Sequence, residues 1–578
     1  MKKRILVQLF CTFFIAANTN LNSQDLEFEW VRQAGGMNFD NGRSVTIDPR
    51  GNLYVTGYFE RQATFGNTTL NSYGDRDIFI AKYDNNGNLK WVQQAGGRYD
   101  DGGYGIASDN SGNIVVTGYF KRTSQFGDTI LTSAGSADIF IAKYTSEDGK
   151  LIWVQQAGGN RDFGIGAGVQ ETGNAIASDI FGNVLVTGYF RGTATFGDTT
   201  ITSYGDTTLF GFGSVDIFIA KFTSNGSLIW AQHAGGDEFD EGYGIATDSS
   251  GNILVTGKFD ENASFGDTTL FNDSNDDMFV AKYSVNGKLR WIKHASGTFF
   301  YVVGLKITTD ISNNILFTGY FRYDAIFDTT KIKSDGNNDD IFLAKYDANG
   351  KFLWVKPAGG KGLDFGLSIV ADNSGNNFVT GVFEGTAIFS DTTLTSTGSS
   401  DIFIAKYDKN GDLVWVKQAG GVNSDAGTSI TADGLDNIFV TGYFSGVANF
   451  GALSLVSVGS SDIFILKMSK TLTGIKQEGT IINSFHLFQN YPNPFNPITE
   501  IEYRIPETKK YLIKTNLEIY DILGHKVKTL VDGFQKSGYY RVKWDGRDEK
   551  GNELTGGVFL YRLRAERFVQ TKKMILIK

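Results

Sequence analysis

The sequence is poor in the residues that most enzymes and disulfide-bonded exported proteins rely on. It holds one cysteine in 578 residues, Cys11, together with six prolines and four histidines. Cys11 sits in a short apolar run near the start, so a chain trimmed of its first residues would carry no cysteine. That excludes disulfides, a thiol nucleophile and a thiolate metal site. His233 and His294 each follow a tryptophan (Trp230, Trp291) by three residues, a slot filled elsewhere by Gln33, Gln94, Gln156 and Gln418. They read as surface variation on a repeat, not as a metal pair. His486 and His525 lie near the other end. No Gly-x-Ser-x-Gly elbow, His-Glu-x-x-His helix or phosphate-cradling glycine loop is present, so no catalytic residue, metal ligand or cofactor is indicated. Sustained helical periodicity is missing as well, which leaves an all-β chain.

Long hydrophobic runs are also scarce. Met1-Lys2-Lys3-Arg4 precedes an apolar stretch over residues 5–17. At roughly 13 residues it is too short for a typical spanning helix and reads as a signal peptide, with a cut between Ala17 and Gln24. Phe10 before Cys11 is too bulky for a lipoprotein signal. No further segment predicts a transmembrane span in the mature chain. The formal charge is −9; residues 1–4 carry +3 and residues 485–578 carry +6, which leaves −18 on the region between. A field of that sign repels phosphate backbones and argues against nucleic acid as a partner.

What the chain has in abundance is repetition. Asp77-Ile78-Phe79-Ile80-Ala81-Lys82-Tyr83 returns at 138–144, 216–222, 277–283, 340–346, 401–407 and 462–468. Its apolar residues are contiguous, so both faces of the strand want burial, as in sheets stacked face to face around an axis. Each unit of about 61 residues predicts four strands, in the first at 44–48, 53–59, 77–83 and 89–94, with a longer excursion before the third. The 71 glycines and the 46 Phe, 25 Tyr and 8 Trp suit short strands and tight turns.

The motifs are out of phase. The Gly-x-Phe of the second strand ends at Phe59, Phe120, Phe190, Phe259, Phe321, Phe383 and Phe444, whereas the fourth-strand tryptophan starts one unit earlier, at Trp30. Residues 26–33 are therefore expected to be the outer strand of a seventh blade whose other strands come from 428–468. The fold class predicted is a seven-bladed β-propeller closed by the N-terminal strand, followed by a small immunoglobulin-like β-sandwich. The domains are a signal peptide (1–24), a propeller (25–468), a linker (469–484) and a C-terminal domain (485–578).

Candidate site residues follow from position in the repeat. Asp40, Asp101, Asp240, Asp364 and Asp425 share a slot before the innermost strand and are expected around the channel mouth. There they could bind a cation or a basic partner, or each could cap its own turn. The third unit is longer by about eight residues in each of two places, 160–173 and 203–215. Asp162, Glu171 and Asp206 lie on or beside these loops and complete the expected binding face. Asp48, Asp109, Asp179, Asp248, Asp310, Asp372 and Asp433 recur in the first turn, but one carboxylate per turn falls short of a calcium site.

The units Val-Thr-Gly-Tyr-Phe, Asp-Ile-Phe-Ile-Ala-Lys-Tyr and Trp-Val-x-Gln-Ala-Gly-Gly resemble the SBBP family of bacterial β-propeller repeats over roughly residues 26–470. That resemblance implies the fold and is silent on chemistry. The tail predicts strands at 499–505, 515–520, 539–544, 557–563 and 571–577. It resembles the C-terminal sorting domain of type IX secretion cargo, through Tyr491-Pro492-Asn493-Pro494-Phe495, Ile519-Tyr520-Asp521, Trp544-Asp545-Gly546, Gly557-Val558-Phe559-Leu560-Tyr561 and Lys572-Lys573-Met574-Ile575. The resemblance implies the type IX secretion machinery as a partner, and a product released or attached to surface lipopolysaccharide. The expected role is non-catalytic binding or adhesion to a glycan or protein at the cell surface. The alternatives are a polysaccharide-degrading enzyme using channel carboxylates and a passive surface-layer component.

Overall fold

A computed structural model describes residues 26–577, apart from 160–170, 206–213, 273–275, 298–299, 471–484, 489, 491, 492, 494, 507–511, 537 and 567. Among the described residues there is no helix. Contacts divide the chain between residues 471 and 472 into a repeat unit and a smaller C-terminal unit.

The repeat unit opens with β1 (Leu26–Gly35) and continues with β2 (Asn41–Ile47), β3 (Leu53–Phe65), β4 (Thr68–Tyr83) and β5 (Leu89–Gly97). Strands β2 to β5 pair antiparallel in order. The turn from β2 to β3 is closed by Asp48, whose Oδ1 accepts the backbone N–H groups of Arg50 and Asn52 at 2.8 and 2.9 Å. Gly51 takes φ 83°, where only glycine is unstrained. Residues 78–83 are buried on both faces, as the unbroken apolar run requires. Each buried Ile or Phe there contributes about 1.5–3 kcal/mol. The core lies between sheets: Tyr54, Ile78 and Ile80 of the first unit pack with Val116, Phe140 and Ala142 of the second.

The excursion before the third strand has more structure than expected. Residues 62–65 and 68–71 form a hairpin, and its inner edge adds to the outer strand of the preceding unit. Thus Ala34 pairs Phe65, Ala95 pairs Phe126, Ala157 pairs Phe196 and Gly420 pairs Asn449. Hydrogen bonding therefore runs across these seams and enlarges the sheets beyond four strands, except in the third unit, where Thr172–Ser178, Val184–Arg191, Val215–Phe222 and Leu228–Ala234 form a four-stranded sheet.

Strand β1 pairs antiparallel with residues 462–470, in a register that sets Trp30 opposite Lys467, Val31 opposite Leu466 and Ala34 opposite Ile463. Its tryptophan does what the next two, Trp91 and Trp153, do. Trp30 Nε1 donates to the Asn85 carbonyl as Trp91 Nε1 donates to that of Ser146, and a Cβ on Gly87 or Gly149 would lie within 3.0 Å of the facing indole. The innermost strands lie side by side along the series, and the last, Ala426–Ala432, lies beside β2.

In the C-terminal unit, one sheet contains Thr499–Ile505 and Gly538–Trp544, and the other runs Lys526–Gln535, Ile513–Asp521, Gly557–Ala565, Phe568–Leu576. Apolar side chains of both meet around Tyr503, Leu517, Trp544 and Tyr561. The strand Lys526–Gln535 is absent from the sequence expectation. It is an edge strand, partly exposed throughout, and lacks the apolar alternation that marks its neighbours.

Candidate functional site

The aspartates expected at the channel mouth are sealed. Asp40, Asp101, Asp240, Asp364 and Asp425 are each 0% exposed. One oxygen of Asp425 accepts the N–H of Gly421 at 2.7 Å, and the other that of Ser445 at 2.9 Å. Asp40 holds Gly36 and Glu60 in the same way, and Asp364 holds Gly360 and Glu384. These carboxylates tie the entrance of one inner strand to the end of its second strand. Of the two readings of these residues, capping is the one their bonds match: their oxygens are turned onto backbone N–H groups inside the fold. Glu171 fills the slot in the third unit and accepts the N–H of Gly159 with both oxygens. Asp162 and Asp206 lie outside the described residues.

A second buried carboxylate stands beside each of the first. Asp77, Asp401 and Asp462 begin the repeated Asp-Ile-Phe-Ile strands and are 0% exposed. Gln94, Gln418 and Gln33 donate to their Oδ2 atoms at 2.6, 2.5 and 2.5 Å, while Oδ1 of each finds no partner. The space between the two carboxylates is left by a glycine. A Cβ on Gly96 would meet Asp77 Oδ1 at 2.6 Å and Asp101 Oδ2 at 3.0 Å. Gly35 lies in the same way between Asp462 and Asp40, and Gly420 between Asp401 and Asp425. Burial is the largest cause that raises the acids: Asp77 to about 6, Asp40 and Asp425 to about 7, and Asp101 well above the ordinary range. The neighbouring carboxylate raises Asp40, Asp101 and Asp425 further. The first-turn aspartates do other work. Asp179 takes N–H groups from Phe181 and Asn183, the Asn183 amide and, at 2.9 Å, Lys221 Nζ. That lysine also donates to the Val285 carbonyl in the next unit, bridging the seam.

The open surface of the inner strands is built from residues that the sequence did not single out. Every innermost strand carries a β-bulge just after a glycine, between Gly42 and Ser44 in β2 and between Gly103 and Gly105 in Gly102–Ser108. A bulge re-aims its extra residue. Here the extra residues are Arg43, Tyr104, Asn174, Tyr243, Leu305, Leu367 and Thr428, each half-buried. They reach round the series: Arg43 lies over the Tyr104 ring at 4.7 Å, and Asn174 Nδ2 donates to the Gly242 carbonyl at 2.9 Å. Tyr58, Tyr119, Tyr189, Tyr320 and Tyr443 come from the neighbouring second strands. On the fourth and fifth units acids join them, each with a cation: Lys258 with Asp276 at 3.1 Å and Arg322 with Asp339 at 2.8 Å.

The expected sorting residues converge within the C-terminal unit. Asn493 Oδ1 accepts the Ile575 N–H at 2.8 Å, and Phe495 bridges to Leu576. Trp544 is buried between Phe495 and Phe559, and its Nε1 donates to the Arg547 carbonyl at 2.9 Å. Asp545 faces Lys528 at 3.5 Å, and Gly546 takes φ 70°. Lys572 and Lys573 lie on the last strand opposite Tyr561 and Leu560. Tyr491, Pro492 and Pro494 lie outside the described residues.

Propeller-like repeats followed by an Ig-like sandwich define the class of protein. Comparison with known families supports both parts. The Beta-propeller repeat family matches residues 29–58, 229–258 and 414–450, and the FlgD Ig-like domain family matches residues 507–567. Over 80% of its length the chain is 25% identical to an uncharacterized WD repeat-containing protein, L264, of Acanthamoeba polyphaga mimivirus, and it spans 40% of that protein. Among solved structures, it resembles a fungal alcohol oxidase of the AA5 family in complex with copper at 11% identity and TM-score 0.42, covering 96% of this chain and 100% of that one. It resembles PorZ of Porphyromonas gingivalis, a surface component of the type-IX secretion system, at 10% identity and TM-score 0.17, covering 95% and 100%. Likeness at these scores does not extend to activity.

Proposed function

We propose that the chain is an exported seven-bladed propeller, its ring completed by residues 26–35, that serves as a non-catalytic binding module at the cell surface. The observation that carries the binding role is the bulge at every innermost strand. It turns Arg43, Tyr104, Asn174 and Tyr243 away from the core and leaves them half-buried where the inner strands meet. Tyrosine and arginine at such positions offer large, rigid contact surfaces with polar tips. Buried carboxylates with raised pKa are what acid–base catalysis on a glycan would use. Here they are sealed and bonded to backbone, which favours the binding reading over the enzyme.

Export by type IX secretion rests on the basic, then apolar, residues 1–17 and on the sorting-domain resemblance of residues 485–578. Asn493, Phe495 and the final strand, separated in sequence, meet in one place. The test is to incubate the purified chain with a panel of glycans and with whole cells, and to score retention and turnover separately. Retention without new reducing ends supports the module. Release of sugar ends overturns it in favour of a glycan-degrading enzyme, and retention by nothing leaves a passive surface component.

A further inference from the structure

Two arginines of the repeat unit lie over tyrosine rings. Arg43 lies over the Tyr104 ring at 4.7 Å and Arg76 over the Tyr58 ring at 5.0 Å. Both are half-buried. Neither guanidinium has a hydrogen bond or ion pair to another of the described residues. Several other buried cations are paired, as with Lys143 and Asp109 at 2.8 Å or Arg322 and Asp339. The −18 carried between residues 5 and 484 makes unpaired arginines more conspicuous still.

The aromatic groups around them are neutral. Tyr104, Tyr119 and Tyr443 have their pKa raised, first by burial, so their hydroxyls stay protonated and can donate as well as accept. Arg43 is felt by Tyr104 and Tyr443, and Arg76 by Tyr104 and Tyr119, so the six side chains form one patch. Of the neighbouring acids, Asp101 and Asp425 are sealed on backbone N–H groups, Asp100 faces Lys121 at 3.8 Å, and Glu60, opposite Arg76 in the ladder, accepts from Asn38 Nδ2 at 3.5 Å. Stacking on a tyrosine uses the flat face of a guanidinium and leaves its edge donors free, in the fork that fits a planar oxyanion. Two such forks set among aromatic faces make a receptor for a small anion attached to an apolar face.

We infer that Arg43 and Arg76, with Tyr58, Tyr104, Tyr119 and Tyr443, bind a pyranose that bears a carboxylate or sulfate group. The sugar's C–H face lies on tyrosine and its anion in the two guanidinium forks. A long polyanion such as nucleic acid is disfavoured by the charge of the surrounding chain. This inference deepens the binding-module reading and rests on it.

The experiment is calorimetric titration of the full-length protein at low and moderate salt with three oligosaccharides of matched length: oligogalacturonate, a sulfated galactan fragment and neutral maltohexaose. One anionic probe is expected to bind at least tenfold more tightly than the neutral one, and which of them does so separates carboxylate from sulfate. Affinity is expected to fall with salt, and to fall tenfold or more in both Arg43→Gln and Arg76→Gln. Melting temperature checks that each variant is folded; should Arg43→Gln not fold, Arg76→Gln and Tyr104→Phe carry the comparison. Equal binding of the neutral probe, or anionic binding indifferent to both arginines, overturns the anionic-sugar assignment while the module reading stands. Retention of none of the three here, nor of any glycan or cell in the wider panel, overturns both.

Discussion

Trp30 and Lys467 stand opposite each other in one antiparallel ladder, although almost the whole repeat region separates them in the chain. Around that pair the two ends share a core: Trp30, Ala34 and Val45 pack with Phe439, Ile463 and Ile465 as well as with Val55 and Phe79. Lys467 extends the joint by an ion pair to Glu29 at 2.9 Å. The joint reproduces the ladder between third and fourth strands inside the chain, where Trp91 stands opposite Lys82.

If that joint is an ordinary third-to-fourth-strand ladder, removing its tryptophan should cost what removal costs elsewhere. Trp30→Ala and Trp91→Ala each delete an indole that packs on a turn glycine and donates to a carbonyl of the next unit. Each is expected to destabilise by about 3–5 kcal/mol. The two are to be compared by denaturant unfolding. A Trp30 effect far below that of Trp91 would mean that β1 is an appendage and closes nothing.

Gly420 tests the packing of the carboxylate pairs. It takes φ 140°, and a Cβ there would sit 2.7 Å from Asp401 Oδ1 and 2.9 Å from Asp425 Oδ2. Gly420→Ala must strain the backbone and push apart two sealed carboxylates. A loss of roughly 2–4 kcal/mol is expected. Gly375, also at positive φ but with only the Lys409 side chain nearby, is the control that isolates the backbone share, about 1 kcal/mol. Similar losses at the two sites would show that the carboxylates are free to move.

The sorting reading is best tested without removing the last strand, because Phe568–Leu576 is paired along its whole length with Gly557–Ala565. Deleting it would unfold the sandwich and confuse cause. Lys572→Ala with Lys573→Ala leaves the ladder intact. Expressed in a bacterium with type IX secretion, this double variant is expected to accumulate in the periplasm with unchanged melting temperature. Normal surface display would remove the two lysines from any sorting role.

Much of this architecture could be read from residues alone, for physical reasons that also explain the rest. Residues 78–81 are apolar without alternation, so burial on both faces followed at once. The partnership of 26–33 with 463–467 followed from tryptophans running one unit ahead of the Gly-x-Phe series. The hairpin at 62–71 was passed over as an excursion. Its signal was there in Ala63-Thr64-Phe65, with Gly66 at φ 56° turning the chain, but its partner strand lies in the preceding unit. The aspartates were placed in the right slot and given the wrong exposure, because the partners that bury them are 20 to 24 residues away or at the far end of the chain. The tyrosine and arginine surface was invisible for a sharper reason: a bulge breaks the two-residue period at Arg43 and Tyr104, so alternation cannot say which way they face.

The carboxylate pairs make a distinct forecast for pH. In the pairs of Asp77, Asp340 and Asp462 one buried oxygen of that residue has no donor, and a Cβ on the intervening glycine would touch both that oxygen and the Oδ2 of the second aspartate. A proton on the orphan oxygen would supply the missing hydrogen bond and remove the repulsion of two buried like charges. The folded pKa is raised, to about 6 for Asp77, about 7 for Asp40, Asp364 and Asp425, and about 8 for Asp340, mainly by burial. The folded chain therefore holds protons that the unfolded chain has released above its ordinary value of 3.8. Where the folded state binds more protons, stability falls as pH rises. These groups contribute fully below about pH 4, lose their contribution progressively as pH climbs to about 8, and change nothing further beyond it. Other groups face them: Glu60 beside Asp40 and Glu384 beside Asp364 add repulsion and steepen the same fall. Asp77→Asn places a neutral donor where the proton would sit and should flatten the slope by about one proton's worth, with little loss at pH 7. Denaturant unfolding at pH 5, 6, 7 and 8 measures it. Stability that rises across that range, or a slope unchanged in the Asn variant, would show both members of each pair to be ionised.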